Sequence, residues 1–311
     1  MSGKSYKERV LDECVSLRFY RDVIGEFVGT MLLVAVQASL PGWTAYGLGG
    51  VIQVALGMGF VLFFLVTVLG DKGGANLNPA VTIALTICGR TTLYRATLYI
   101  VAQAIGGITG AALVSALTPD AYQGSLAATV LHEDITIAQG IFIEAWITFM
   151  LVFAVFGATA PYAGTNIGKA GGPLSIGLAL TVGIMIAFAS TGGSMNPART
   201  LGPAVITGIW TDHWVYWVGP IFGGCMATLV YYIVCVEYAS EEDDEDEQDT
   251  QQVASYPIGK DQFPKDQYVK EQFPKEQFVK EQFVKEQYPA KDVEQQAPKG
   301  EQWGKGEATK F

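Results

Sequence analysis

Two Asn-Pro-Ala triplets are the most distinctive feature of this 311-residue sequence. Each follows a glycine-containing run and precedes a short apolar stretch; they are Asn78-Pro79-Ala80 and Asn196-Pro197-Ala198. Asn is a favoured helix N-cap, and Pro is tolerated at the first helical position, where its missing N–H costs nothing. The triplets therefore predict two helix starts, with a side-chain amide at each cap.

The apolar stretches after the triplets, residues 80–87 and 198–206, are too short to cross a membrane. A spanning helix needs about 20 apolar residues. Shorter helices are stable at membrane depth only when they are buried in protein or line a watery cavity. We therefore expect two re-entrant half-helices. Positive partial charge at their N-termini, about half an elementary charge each, opposes cations. Amides at both caps would orient a passing water and interrupt proton hopping.

Two glutamates have the same position relative to the triplets. Glu26 lies 52 residues before Asn78, and Glu144 lies 52 residues before Asn196, so the two halves repeat with a period of 118 residues. A proton relay is one interpretation of acids in apolar spans. The duplicated offset favours a supporting role, in which each carboxylate accepts hydrogen bonds from a re-entrant loop. Arg199, directly after the second triplet, is predicted to face a wet cavity.

Six apolar spans are predicted to position these residues. Half of the residues are hydrophobic, 16% are charged and the mean hydropathy is +0.28, which is typical of a membrane protein with a soluble appendage. The expected fold class is an all-α membrane protein with six transmembrane helices and two re-entrant half-helices in an inverted repeat. Its halves cover about residues 22–117 and 135–238, with spans at about 23–40, 51–69, 93–114, 135–156, 173–189 and 214–236.

Basic residues predict the orientation. Six spans put both termini on one side, where nine Lys and Arg border the spans, and the opposite side has only Arg199. The positive-inside rule then places both termini in the cytosol. The plasma membrane is the expected location, because the sequence shows no signal for another membrane.

The chain is divided into a polar N-terminal arm (1–21), a membrane domain (22–238) and a tail (239–311). The tail carries −8 of the total charge of −10, with an acidic block at 241–247 and a repeated five-residue unit over 260–289. This composition predicts disorder, and the repeats are candidate docking motifs for a cytosolic partner or for neighbouring tails. The sequence has no basic patch of the kind that would indicate a nucleic-acid partner.

Together, these motifs resemble the aquaporin (major intrinsic protein) family over about residues 15–238; the resemblance does not cover the tail. The resemblance implies a passive, proton-excluding water channel, assembled as a homotetramer in a lipid bilayer. It also implies an outer constriction and, for the two glutamates, support of the re-entrant loops. Counted from the triplets, the constriction residues are Met58, Ile184, Gly193 and Arg199. No catalytic residue, metal ligand or cofactor is expected.

Two constriction positions differ from those of water-specific members, which usually carry an aromatic residue and a histidine where this chain has Met58 and Ile184. The result is a less polar gate, and Gly193 adds room, which permits urea, ammonia, hydrogen peroxide or glycerol. Thr200 favours water, because glycerol-conducting members usually carry Asp there. Water is the expected main permeant, and an aquaglyceroporin-type solute channel is the alternative.

Two other functions remain open. Inverted repeats with broken helices also build secondary transporters, whose flux would saturate or require an ion. The unusual tail also allows a scaffold protein with a vestigial pore, for which deletion of residues 239–311 is the test. An enzyme is not expected, because no nucleophile–base, metal-ligand or nucleotide-binding pattern is visible.

Overall fold

The computed structural model describes residues 5–44, 50–159 and 168–235. The predicted tail with its 260–289 repeats lies outside these residues. Helices are the only regular secondary structure in the described part of the chain, which confirms the predicted all-α class. They are α1 (Tyr6–Val15), α2 (Leu17–Thr44), α3 (Val51–Gly73), α4 (Pro79–Ile87), α5 (Leu93–Leu117), α6 (Asp120–Gln123), α7 (Ile137–Thr159), α8 (Gly168–Ala187), α9 (Pro197–Thr207) and α10 (Val215–Cys235).

Six long helices correspond to the six predicted spans. Within the described ranges, five of them are long and apolar enough to cross a membrane: α2, α3, α5, α7 and α10. The sixth, α8, has 20 residues and a shorter apolar stretch, Gly171–Ala187. A helix of 20 residues is about 30 Å long, which matches the hydrocarbon thickness of a bilayer.

The two remaining apolar helices are the predicted half-helices. α4 has nine residues and α9 has eleven, and each begins with Pro directly after an Asn N-cap. α9 ends at Gly208, whose φ of 74° is a left-handed conformation that glycine adopts without strain. Both half-helices therefore begin at the positions that the triplets predicted.

The helix boundaries differ from the prediction near the membrane surfaces. α2 begins at Leu17 and continues through Pro41, where a connection was expected, and α3 continues to Gly73. Pro41 lies in the last turn of α2, where a lost backbone hydrogen bond affects little of the helix. The predicted polar arm contains α1, which starts with a capping box: the Ser5 and Glu8 side chains each accept the other's backbone N–H.

Glycine contacts repeat the internal symmetry. Gly106 on α5 lies against the backbone of α2 at Phe27, and Gly223 on α10 lies against the backbone of α7 at Ala145. The two contacted residues are 118 positions apart, the same period as the triplets. A Cβ atom at either glycine would overlap a backbone carbonyl, so glycine allows each pair of helices to approach closely. These two helix pairs hold the half-helices between them.

Candidate functional site

Each Asn N-cap holds the first turn of its own half-helix. Asn78 Oδ1 accepts from the Ala80 N–H at 2.9 Å. Asn196 Oδ1 accepts from the N–H groups of Ala198 at 3.0 Å and Arg199 at 3.3 Å. These bonds satisfy backbone donors that the first turn of a helix otherwise leaves without a partner.

The amide nitrogens of the same two side chains join the half-helices to each other. Asn78 Nδ2 donates to the Met195 carbonyl at 2.8 Å, and Asn196 Nδ2 donates to the Leu77 carbonyl at 2.8 Å. Each carbonyl belongs to the residue just before the opposite Asn. The two half-helices therefore meet at their N-termini. An amide nitrogen has two N–H groups, so each Asn keeps a second donor for another acceptor.

Glu26 fixes the backbone of the loop before α4. Its carboxylate accepts from the N–H groups of Asn76 and Leu77, both at 2.7 Å. Gln103 Nε2 donates to Glu26 at 2.8 Å and to the Thr82 hydroxyl at 2.9 Å. Glu26 is 1% exposed, so these donors replace the water that its carboxylate loses on burial.

Glu144 has the same arrangement in the second half. Its carboxylate accepts from the N–H groups of Ser194 at 2.9 Å and Met195 at 2.8 Å, and from the Thr191 hydroxyl at 2.6 Å. It is fully buried. The two acids are therefore bound to equivalent backbone groups of the two re-entrant loops.

The residues before the two Asn caps have strained backbones. Leu77 has a φ of 51° and Met195 has a φ of 56°, values that a side chain with a Cβ rarely adopts. The N–H of each residue donates to the buried glutamate of its own half, and its carbonyl accepts from the opposite Asn. These four hydrogen bonds stabilise the two left-handed residues and turn their carbonyls toward the other half of the molecule.

A cavity of about 510 Å³ lies beside the two caps. We call it the Asn cavity, because Asn78 and Asn196 both line it. Its walls are mostly apolar, so the few polar groups on them determine which molecules it can hold. The apolar walls include Leu33, Leu62, Val81, Leu151, Ile176 and Leu180.

A second cavity, of about 270 Å³, is lined by Arg199, and we call it the Arg cavity. Arg199 is only 3% exposed, and its Nη1 donates to the Ala127 carbonyl at 2.6 Å. Its Nε is buried without a hydrogen-bond partner among the described residues. Thr129 also lines this cavity and shares a 2.9 Å hydrogen bond with Thr200.

The other three predicted constriction residues line neither cavity. Met58 and Ile184 are each 1% exposed and belong to one apolar cluster. Gly193 has a φ of 63° and packs against Ile184. The structure thus places Met58 and Ile184 in one apolar cluster, Gly193 against the Ile184 backbone, and Arg199 on the wall of the Arg cavity.

Gln37 is a polar residue of this region that the sequence analysis missed. It lies on α2, is 2% exposed and lines the Asn cavity. Charged residues stand out in an apolar span, whereas a lone amide does not. A Gln within an apolar span is nevertheless a signal, because burying its amide without a hydrogen-bond partner is unfavourable.

Comparison with known proteins identifies the relatives of this chain. The profile of the family described as "Major intrinsic protein" matches residues 13–231. The lens fiber major intrinsic protein of Lithobates pipiens is 43% identical over 219 residues, which are 70% of this chain and 81% of that protein. Human aquaporin-2 is 39% identical over 223 residues, which are 71% of this chain and 81% of that protein.

A solved structure shares the fold. The X-ray structure of the aquaglyceroporin from Plasmodium falciparum matches with a TM-score of 0.63 at 24% identity. The match covers 70% of this chain and 96% of that one. At this identity the likeness supports the fold alone.

Proposed function

The chain belongs to the major intrinsic protein family, and from this premise we propose that it is a passive transmembrane channel that conducts water and excludes protons. It is an integral membrane protein of a channel family, and the names of its relatives include aquaporin-2. Conduction requires no covalent step, and we assign no catalytic residue, metal or cofactor to it. The membrane domain carries this function over about residues 22–238.

One observation supports the proposal more than any other: the two half-helices meet N-terminus to N-terminus beside a cavity. The Asn78 and Asn196 amides both line that cavity, and each retains one N–H group after its bond to the opposite loop. A water molecule there can accept from both amides, so its own hydrogens point away from the junction. Such a water cannot pass a proton along the file, and the two positive helix ends oppose cations.

The constriction determines which neutral solutes accompany water. We propose that it is formed by Met58, Ile184, Gly193 and Arg199, with Arg199 as its charged donor. The apolar side chains of Met58 and Ile184 at two of these positions support a second candidate function, an aquaglyceroporin-type channel for solutes such as urea, ammonia, hydrogen peroxide or glycerol. In both functions, Glu26 and Glu144 support the loops of the pore.

We also propose the setting of the channel. Both termini lie in the cytosol, by the positive-inside rule, and the chain forms a homotetramer in the plasma membrane. The 260–289 repeats bind a cytosolic partner or neighbouring tails. If the tail is an accessory to the pore, deletion of residues 239–311 leaves water permeability unchanged. Permeability that disappears with the tail would favour the scaffold function.

Vesicle swelling in water, glycerol and urea gradients tests the proposed function. Wild-type proteoliposomes should swell faster than bare lipid, with a flux that rises linearly with the gradient and needs no ion. Saturation or an ion requirement would indicate a transporter. An Ile184→His variant adds a polar ring to the constriction, so it should lower any glycerol or urea flux and spare water.

A matched Ile184→Leu variant keeps the position apolar and should retain the wild-type selectivity. If Ile184→His leaves the ratio of solute flux to water flux unchanged, Ile184 is not part of the constriction.

A further inference from the structure

Gln37 has a defined height within the membrane domain. Gly29 of α2 lies against Leu77, the residue before the first Asn cap, and Leu40 lies against Gly57, the residue before the first constriction position. Gln37 is eight residues after the first contact and three before the second, so it lies about 12 Å from one level and about 4.5 Å from the other. It is therefore between the Asn junction and the constriction, close to the constriction.

The side chain of Gln37 is unsatisfied at this position. Its Oε1 is buried and accepts no hydrogen bond from the described residues. Two of the unpartnered buried side-chain atoms in the described part of the chain, Gln37 Oε1 and Arg199 Nε, belong to residues that line a cavity: Gln37 lines the Asn cavity and Arg199 lines the Arg cavity. The others belong to Thr30, Gln103 and Thr148, which line neither of these cavities.

The described part of the cavity wall beside Gln37 provides no hydrogen-bond donor to its amide. That part of the wall is lined by Leu33, one turn away on the same helix, and by Leu62 on α3. A buried amide oxygen without a partner is unfavourable, and a polar site beside a cavity of this size can hold a water molecule. Oε1 therefore lacks a hydrogen-bond donor, and after half a turn of the amide about its terminal bond a molecule in the cavity can supply one.

We propose that Gln37 is a further specificity-determining residue of the channel, whose amide binds neutral permeants that carry a hydrogen-bond donor as they pass between the Asn junction and the constriction. This inference rests on the proposed function. The side-chain N–H groups of Asn78, Asn196 and Arg199 can only donate. Gln37 supplies a side-chain acceptor about 12 Å from the Asn amides, so a permeant that has left these donors can give a hydrogen bond to Gln37 in the apolar stretch before the constriction.

Gln37→Met and Gln37→Leu test the inference, because both keep side-chain volume and remove the amide. A permeant loses one hydrogen bond in an otherwise apolar stretch, so water permeability per channel should fall about three- to tenfold. The activation energy of water flux should rise. The matched control is Ser39→Ala on the same helix, because the Ser39 hydroxyl already donates to the Ala35 carbonyl at 2.7 Å.

Stopped-flow water flux, the temperature dependence of that flux and thermal unfolding are measured on wild-type and variant proteoliposomes with equal protein content. A folded Gln37→Met or Gln37→Leu variant that conducts water as fast as wild type, with the same activation energy, overturns the inference. Two apolar variants of different shape are used so that poor folding of one leaves the other to decide. Wild-type vesicles no leakier than bare lipid would instead refute the proposed function itself.

Discussion

At the residue scale, the centre of the molecule depends on two residues in left-handed conformations. Leu77 and Met195 each donate to a buried glutamate and accept from the opposite Asn. Such backbone conformations cost of order 1–3 kcal/mol and persist only when neighbouring groups fix them. The glutamates are therefore part of the geometry of the junction, although they do not line the Asn cavity.

A Glu144→Gln variant tests this dependence. The carboxylate accepts three hydrogen bonds, whereas the glutamine amide presents one oxygen and turns an NH₂ group toward a donor. An unsatisfied buried donor costs about 1–3 kcal/mol, so the free energy of unfolding should fall by at least that amount. Thermal unfolding in detergent measures the change.

The matched control for that variant is Glu133→Gln, at an exposed position of the loop before α7, which should unfold like wild type. Equal unfolding temperatures for wild type and Glu144→Gln would show that the carboxylate does not stabilise the loop.

The Asn caps could be predicted from the sequence, because capping depends on neighbouring residues. Each glutamate could be paired with a triplet, because the same 52-residue offset occurs twice. It could not give the left-handed conformations of Leu77 and Met195, since these residue types disfavour them and only long-range hydrogen bonds fix them. It also could not show that Gln37 lines a cavity. Gln37 is eleven residues, about three turns, after Glu26 and so shares its inward face of α2, but the shape of the space beside that face depends on packing against other helices.

At the element scale, contacts between glycines allow α3 and α8 to pack closely against each other. α3 and α8 approach where Gly59 faces Gly177, and a Cβ atom at Gly59 would lie 2.6 Å from the Gly177 carbonyl oxygen. Thr181, one turn further along α8, occupies the space beside Gly59 and donates to the same carbonyl at 3.1 Å. No side chain fits at Gly59 unless one of the two helices moves.

A Gly59→Leu variant should separate α3 from α8. Overpacking of a tight contact costs about 1–3 kcal/mol, so the variant should unfold at lower temperature and, because Met58 is the adjacent residue, lose water permeability. The matched control is Gly157→Ala on α7, where an added Cβ meets no atom within 4 Å. That control should stabilise the helix by up to about 1 kcal/mol. A stable, conducting Gly59→Leu variant would contradict this description of the contact.

The N-terminal helix α1 is held to the membrane domain by charged groups. Arg95 on α5 donates to Glu13 at 2.8 Å and to Asp22 at 3.0 Å. Thr92 also donates to Glu13, and the Tyr6 hydroxyl accepts from the Leu93 N–H at 3.1 Å. α1 has no fully buried residue, so these polar contacts rather than apolar packing position it.

A Glu13→Gln variant should loosen α1 and leave the rest of the fold intact, because Arg95 keeps its bond to Asp22. Hydrogen exchange of residues 6–15 should become severalfold faster, with unchanged exchange in α5. The control is Lys7→Gln, an exposed position on the same helix. Unchanged exchange of α1 in the Glu13→Gln variant would mean that the ion pair does not hold the helix.

Most elements could be predicted from the sequence, because long apolar stretches and Asn-Pro starts are local signals. The predicted arm was incomplete, because the Ser5–Glu8 capping box that begins α1 is short and polar and lies outside the apolar pattern. The prediction from the sequence ended α2 and α3 several residues before their observed ends at Thr44 and Gly73. Hydropathy marks where lipid contact ends, whereas a helix continues as long as its backbone hydrogen bonds persist.

At the scale of the whole molecule, two halves of opposite orientation build one site. Neither half can form it alone, because each Asn amide bonds to the loop of the other half. The family and the all-helical fold followed from the duplication in the sequence. Solute range did not follow from it, because the proposed constriction at Met58, Ile184 and Gly193 depends on how side chains from both halves pack.

The most direct test records water and proton flux in the same proteoliposomes, with stopped-flow light scattering for volume and an internal pH dye for protons. Water should leave the wild-type vesicles faster than it leaves bare lipid, while proton leakage stays at the level of bare lipid. Water flux no faster than bare lipid, or proton leakage that rises together with water flux, would contradict a junction of two half-helices that conducts water and excludes protons.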